Sequence, residues 1–211
     1  MLSIIQAAGW PIWTLIACSI AGLALILERG WSLRRDRVAP PGLVDEAIEA
    51  SRHALPAPAI VQQLAEHSLL GGVLAAGLAA LQTNPHATEA ELRAALESAG
   101  RLAAARLQRY LGALATVASA APLLGLLGTV IGMIEIFGSQ AGPGGLLPGG
   151  GNPAQLAHGI SVALYNTAFG LIIAVPALIF WRIYRARADA LLLEMEVAAE
   201  RFAHHLLRLR G

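Results

Sequence analysis

Three long stretches of this sequence carry no basic residue and almost no charge: residues 1–27, 111–134 and 136–181. A helix needs roughly 20 predominantly apolar residues to cross a bilayer, and each stretch can supply one. We therefore place membrane spans near residues 7–27, 111–134 and 160–181. The composition agrees, because 14% of the residues are charged whereas soluble proteins carry about 25%. The predicted fold is an all-α membrane protein with three transmembrane helices, of which the long helices two and three extend into the cytoplasm.

The arginines predict how the chain is oriented, because cytoplasmic loops are enriched in Lys and Arg near the ends of spans. All fifteen basic residues are arginine; they cluster after the first span, before the second and after the third, while the outer loop carries no charge. A signal peptide is the competing interpretation of the first span, but its positive charge would precede the apolar run. Here the charge follows it, in ERGWSLRRDR, so we expect a retained anchor with its N-terminus outside. The predicted organisation is a first transmembrane helix (1–28), a cytoplasmic helical insert (29–110), a second transmembrane helix (111–137), a periplasmic loop (138–159), a third transmembrane helix (160–181) and a cytoplasmic helical tail (182–211).

The insert is predicted to be helical. We predict short, alanine-rich helices over residues 43–54 and 60–82, divided by Pro56 and Pro58. Thr88 with Glu91 fits a capping box at the start of a further helix. We see no strong helix breaker from there to the membrane, so one helix could run over residues 89–137. The tail keeps a helical apolar stripe beyond the third span, and such a stripe needs a partner surface.

Small residues recur on one face of the second span. Gly125, Gly128 and Gly132 follow one another at three- to four-residue spacing, and the last two form a GxxxG pair. In a bilayer, helices associate through close packing of small residues, so plain helix packing is a sufficient explanation of this face taken alone.

Polar residues near that face suggest more than packing. Thr129 lies on or beside it, and Thr167 lies in the third span at a comparable depth, in the outer half of the membrane. Two hydroxyls at one level can line a narrow polar path, whereas a lone membrane threonine more often bonds its own backbone. The second explanation suffices for Thr116 and Ser119. Asn166 makes the third-span position more polar than packing needs, so we take Thr129, Thr167 and Asn166 as candidates for a proton pathway.

The membrane segments lack a titratable group at mid-depth. Glu28 and Glu135 lie at the ends of their spans, where water reaches them. A proton relay needs a titratable group inside the bilayer. If this protein conducts protons, another chain must supply that group, and the channel is shared between the two chains. No Cys/His spacing indicates a metal site, no nucleophile–base set indicates an enzyme, and nothing in the sequence indicates a cofactor or a nucleic-acid partner.

Two segments, PLLGLLGTVIGMIEIF at 122–137 and GISVALYNTAFGLIIAVPALIF at 159–180, resemble the TolQ/ExbB/MotA family of proton-channel subunits, specifically its ExbB/TolQ branch. MotA-like stators have four spans, which disfavours that branch. In the family, Thr129 and Thr167 match pore-facing threonines, and Pro122 and Pro176 match membrane prolines. The resemblance implies a homopentamer in the bacterial inner membrane around a dimer of a single-span ExbD/TolR-like protein. That partner supplies a membrane aspartate, and a TonB- or TolA-like protein passes the force to the cell envelope. In such a pentamer we expect the glycine face of the second span to pack against neighbouring subunits.

One departure from the family matters. Many members carry a glutamate five residues before the third-span threonine, and this chain has Val162 there. We hypothesise that Glu135 or His158 at the outer mouth substitutes for it, the alternative being that both merely face lipid headgroups or water. The predicted function is a proton-channel subunit of an inner-membrane motor that couples proton-motive force to envelope transport or maintenance. The alternatives are a non-conducting oligomeric membrane scaffold, which Val162 favours, and a MotA-like stator subunit.

Overall fold

The computed structural model describes residues 10–140 and 153–209, and within these ranges every regular element is an α-helix. The helices are α1 (Pro11–Ser32), α2 (Arg35–Val38), α3 (Leu43–Ala50), α4 (Pro58–His67), α5 (Leu69–Thr83), α6 (Glu89–Gln108), α7 (Leu111–Gln140) and α8 (Pro153–Arg208). Three stretches are long and apolar enough to cross a membrane: Pro11–Ser32, Glu89–Gly138 and Gly159–Arg208. The predicted fold class is confirmed.

The chain divides into two compact units. The span unit comprises Met1–Leu27 and Tyr110–Arg182, and the insert–tail unit comprises Glu28–Arg109 and Ile183–Gly211. The side of the membrane on which each terminus lies stays a prediction.

Around the contact of α7 and α8 in the span unit, several large apolar side chains are exposed and small ones are buried. Leu123 and Ile172 are 67% and 65% exposed, whereas Ala121 and Ala177 are buried. This arrangement is the reverse of a soluble core, and it suits a helix group whose outer surface is solvated by lipid.

The insert–tail unit has an ordinary apolar core. Leu74, Leu92, Phe202 and Leu206 are fully buried, so α5 and α6 share a core with the tail portion of α8. Ion pairs cross its surface, including Arg93 with Glu200, Arg201 with Asp45 and Arg35 with Glu194.

The helix starts in this unit follow from local capping. The capping box is confirmed: the Glu91 backbone N–H donates to Thr88 Oγ1 at 3.2 Å, and the Thr88 N–H donates to Glu91 Oε2 at 2.6 Å. The single helix predicted over residues 60–82 is wrong. Ser68 has extended backbone and accepts a hydrogen bond from the Gly71 N–H at 3.0 Å, so it ends α4 and caps α5.

A two-residue turn separates α6 from α7. Tyr110 has φ of 64°, in the left-handed region that bulky residues rarely adopt, and Arg109 is the C-cap of α6. The sequence allowed one uninterrupted helix over residues 89–137, and nothing local to it predicted this interruption.

Candidate site at the crossing of the second and third spans

Glycines bring the backbones of α7 and α8 into contact. A Cβ atom placed on Gly125 would lie 2.6 Å from the Asn166 carbonyl oxygen, and one on Gly170 would lie 2.6 Å from the Ala121 carbonyl oxygen. Both distances are shorter than real Cβ contacts, so only glycine fits at either position. Gly170 was not among the predicted packing residues, although a glycine inside an apolar span was the available signal.

The two glycines of the GxxxG pair also face the third span. The Gly128 Cβ position is 2.8 Å from the Asn166 side chain, and that of Gly132 is 3.2 Å from Ala163 Cβ. We expected this face to pack against neighbouring subunits. In the structure it is instead occupied by α8 of the same chain.

Proline lies within both helices of the crossing. Pro122 is in α7 and Pro176 is in α8, and neither ends its helix. Proline interrupts the backbone hydrogen-bond ladder locally, and such interruptions are tolerated in membrane helices when neighbouring groups compensate.

Asn166 is a contact residue in the interior of the span unit. It is 1% exposed, and its side chain packs against the Cα of Gly128. In this chain Asn166 therefore lies at the contact of α7 and α8, and its place in a proton pathway stays a prediction.

Thr167 places a hydroxyl inside the same crossing. Its Oγ1 atom is buried and has no hydrogen-bond partner among the described residues. Its Cα lies 3.0 Å from the Gly125 Cβ position, so the residue sits where the two backbones meet. A buried polar group without a partner costs about 1–3 kcal/mol, and packing alone gives no reason to keep one here.

Thr129 differs from Thr167 in its surroundings. Its hydroxyl donates to the Leu126 carbonyl oxygen at 2.6 Å, and it borders a shallow surface depression formed by α7 residues that include Val130 and Met133. Since Gly128 contacts Asn166, the two threonines that follow them lie at similar heights along the helix pair. Among the described hydrogen bonds none joins the two hydroxyls.

Two other membrane hydroxyls, those of Thr116 and Ser119, behave as predicted. Thr116 donates to the Gly112 carbonyl oxygen at 3.0 Å, and Ser119 donates to the Ala115 carbonyl oxygen at 3.1 Å. Both bonds stay within one helix, which satisfies the hydroxyls without a second element.

Of the two titratable residues predicted at the outer mouth, the structure describes the side chain of one. Glu135 is exposed on α7, and the side chains of His158 and Val162 lie outside the described part of the chain. In the described part of the span unit Glu135 and Arg182 are the charged residues, and no group of His, Cys, Asp and Glu there could hold a metal ion.

Comparison with known proteins connects this crossing to a family. Residues 65–197 match the profile of the MotA/TolQ/ExbB proton channel family. The ExbB-like 1 protein of Synechocystis sp. is 33% identical over 178 residues, 83% of this chain and 66% of that relative. The biopolymer transport protein exbB1 of Vibrio cholerae is 32% identical over 195 residues, 90% of this chain and 82% of that relative.

A TolQ relative is similar over a shorter range. The Tol-Pal system protein TolQ of Pseudomonas aeruginosa is 36% identical over 97 residues, 46% of this chain and 40% of that relative. The profile match covers the whole glycine crossing with both threonines. With three helices long enough to span a bilayer and these relatives, the chain is a membrane protein that belongs to the MotA/TolQ/ExbB proton channel family, on its ExbB/TolQ branch.

Proposed function

We propose that this chain is a proton-channel subunit of an inner-membrane motor that couples proton-motive force to envelope transport or maintenance. The observation that carries the proposal is the buried Thr167 hydroxyl, which has no hydrogen-bond partner among the described residues and lies at the backbone contact of α7 and α8. Membership of a proton channel family, and relatives named for biopolymer transport and the Tol-Pal system, support the same function.

The proton carrier would come from a second protein. A relay through the bilayer needs a titratable group, and in the described span unit Glu135 at the outer end and Arg182 at the other end are the charged residues. We propose a single-span partner of the ExbD/TolR type that supplies a membrane aspartate, a pentamer of this chain around it, and a TonB- or TolA-like protein as the recipient of the force. A bacterial inner-membrane location, with the N-terminus periplasmic and the C-terminus cytoplasmic, belongs to the same proposal.

The two threonines would have different roles. The Thr129 proton is engaged by the Leu126 carbonyl oxygen, but a hydroxyl oxygen keeps acceptor capacity and this one borders the surface of α7. Thr129 would therefore accept a hydrogen bond from a protonated carboxyl group of the partner. The Thr167 hydroxyl can both donate and accept, so it would hydrogen-bond a carboxyl group or water that enters the crossing.

A non-conducting scaffold is the second candidate. Its support is Val162, where many ExbB/TolQ-like sequences have glutamate. In our proposal Glu135 or His158 performs the outer-mouth role of that glutamate, and the double variant Glu135→Gln/His158→Ala would then reduce proton flux.

The test is proton flux in liposomes that contain the chain with its co-purified single-span partner. Thr167→Val removes the hydroxyl but keeps the shape, and we expect flux to fall by about a hundredfold or more, the range for losing one group that assists proton transfer. Thr167→Ser should retain flux, and Thr116→Val, which removes a back-bonded hydroxyl of α7, is the matched control.

Native mass spectrometry of the same samples separates loss of flux from loss of assembly. We expect five copies of this chain with two of the partner in wild type and in all variants. Unchanged flux in Thr167→Val would remove the threonine from the mechanism, and absence of flux in an intact wild-type complex would favour the scaffold.

A further inference from the structure

An aromatic ring and a cation are stacked at the end of α1. The Arg37 guanidinium carbon lies 3.8 Å from the centroid of the Trp31 ring, and Trp31 is nevertheless 55% exposed. A guanidinium over an indole face is a favourable cation–π arrangement. The pair is therefore a preformed surface feature, with the outer side of both groups open.

The backbone beneath this pair is anchored. Leu33, Val38 and Ala39 are 1–2% exposed, and Arg187 donates to the Leu33 carbonyl oxygen at 2.9 Å. Because Val38 and Leu33 are held in the unit's core, the short helix α2 between them is fixed. Arg34 is the N-cap of α2 and its carbonyl oxygen accepts a hydrogen bond from the Arg37 N–H at 3.0 Å, so the two exposed arginines belong to one turn.

The charges of the turn are not balanced by acidic partners. Arg35 pairs with Glu194, whereas in the described part of the chain neither Arg34 nor Arg37 has a carboxylate within ion-pair distance. Asp36, the acidic residue of the turn, is exposed and offsets one of these two positive charges. A net positive charge is left beside the exposed tryptophan.

We propose that Trp31, Arg34 and Arg37 form a site for the phosphate group of an anionic phospholipid. Trp31 follows the uncharged stretch 1–27 by one helical turn, which is the depth at which tryptophan favours the bilayer interface. Guanidinium groups bind phosphate oxygens in a bidentate manner. We expect the site to bind a lipid rather than free phosphate, because the exposed indole offers apolar contact that inorganic phosphate cannot use. It depends on the chain spanning a membrane and not on proton conduction.

The test is lipid retention by the purified full-length complex, measured by native mass spectrometry after equilibration with equal amounts of phosphatidylglycerol and phosphatidylcholine. We expect wild type to retain phosphatidylglycerol preferentially. In Arg34→Gln/Arg37→Gln the ratio of retained phosphatidylglycerol to phosphatidylcholine should fall about tenfold, since each basic residue near the surface adds to anionic-lipid binding. The matched control is Arg52→Gln/Arg101→Gln, which removes the same charge at two exposed positions elsewhere.

Three outcomes would overturn the proposal. The first is a lipid preference in the Arg34→Gln/Arg37→Gln variant equal to that of the control. The second is displacement of phosphatidylglycerol by millimolar inorganic phosphate, which would make this a site for free anions. The third is a changed copy number in the Arg34→Gln/Arg37→Gln variant alone, which would assign the patch to a contact between subunits. Trp31→Phe keeps the fold and an aromatic ring but weakens the cation–π pair, so an intermediate preference in that variant would support the site.

Discussion

In the span unit, α7 and α8 meet through glycine and alanine with their backbones in contact, whereas in the insert–tail unit the helices meet through leucine and phenylalanine and are joined by ion pairs. A methyl group does not fit at Gly125 or Gly170, while Leu92 and Phe202 are completely buried among other side chains. In lipid, burying leucine brings little gain because the tails are equally apolar. In water, burial of apolar surface is the main driving force.

The two units also differ in how their polar groups are satisfied. In the insert–tail unit, ion pairs such as Arg93 with Glu200 lie at the surface, where water solvates them. In the span unit, hydroxyls such as Thr116 bond within their own helix, and Thr167 stands apart from both patterns. A polar group whose presence stability does not explain is therefore a functional candidate in the span unit.

The largest effect should come from the insert–tail core. Phe202→Ala removes a fully buried ring and should lower the free energy of unfolding by about 3–5 kcal/mol. Hydrogen exchange would show the amides of α5 and α6 losing protection. Leu193→Ala, at a 61% exposed position of the same helix, is the control and should change stability by less than about 0.5 kcal/mol. Equal loss of protection in the span unit would show that the two units unfold together, which would contradict the separate stabilisation of the two units.

A smaller effect should separate backbone contacts from side-chain contacts. Gly170→Ala places a methyl group against the Ala121 carbonyl oxygen, which cannot move away alone, and should cost about 1–3 kcal/mol. Gly77→Ala, in the insert–tail unit, meets the flexible end of the Leu96 side chain at 2.9 Å and should cost less. Gly112→Ala has open space, so it should be neutral or stabilising by up to about 1 kcal/mol.

Thermal unfolding of the three purified glycine variants in one detergent ranks them. If Gly77→Ala proved as damaging as Gly170→Ala, the distinction between close backbone packing and adaptable side-chain packing would be lost.

The sequence predicted what depends on local chemistry. Charge-free stretches indicated the three helices long enough to span a bilayer, and the Thr88–Glu91 spacing indicated a capping box that the structure contains. It also identified the small face of the second span. It did not reveal which surface that face contacts, because periodicity shows that a face is small and not which helix covers it.

Other features lay beyond the local signals. Thr129 hydrogen-bonds within its own helix whereas Thr167 has its hydroxyl buried at the helix contact. This difference depends on the position of the facing helix, which the sequence of neither helix specifies alone. The turn at Tyr110 places a bulky residue at φ of 64° without glycine or proline to indicate it. The break at Ser68 was recoverable, since serine favours the N-cap over a helix interior.

The smallest effect concerns pH and is confined to the insert–tail unit. Burial lowers the pKa of His205, and the nearby charges of Arg52 and Arg208 lower it further. The ring lies 3.1 Å from Ser51 Oγ through its Nε2 atom and stacks against Phe202. Because the folded state favours the neutral ring, its contribution to stability is complete above the ordinary histidine pKa of about 6.5 and is lost as the pH falls below it.

We therefore expect the free energy of unfolding to change less between pH 7.5 and 5.5 in His205→Gln than in wild type. The difference between the two proteins should be less than about 1 kcal/mol, because the ring is only partly buried. His204→Gln, at the exposed neighbouring position, is the matched control. Hydrogen exchange in α3, whose C-cap is Ser51, gives a local measurement of the same change. If both variants flatten the pH profile equally, then the His205 ring is not the source of the pH dependence.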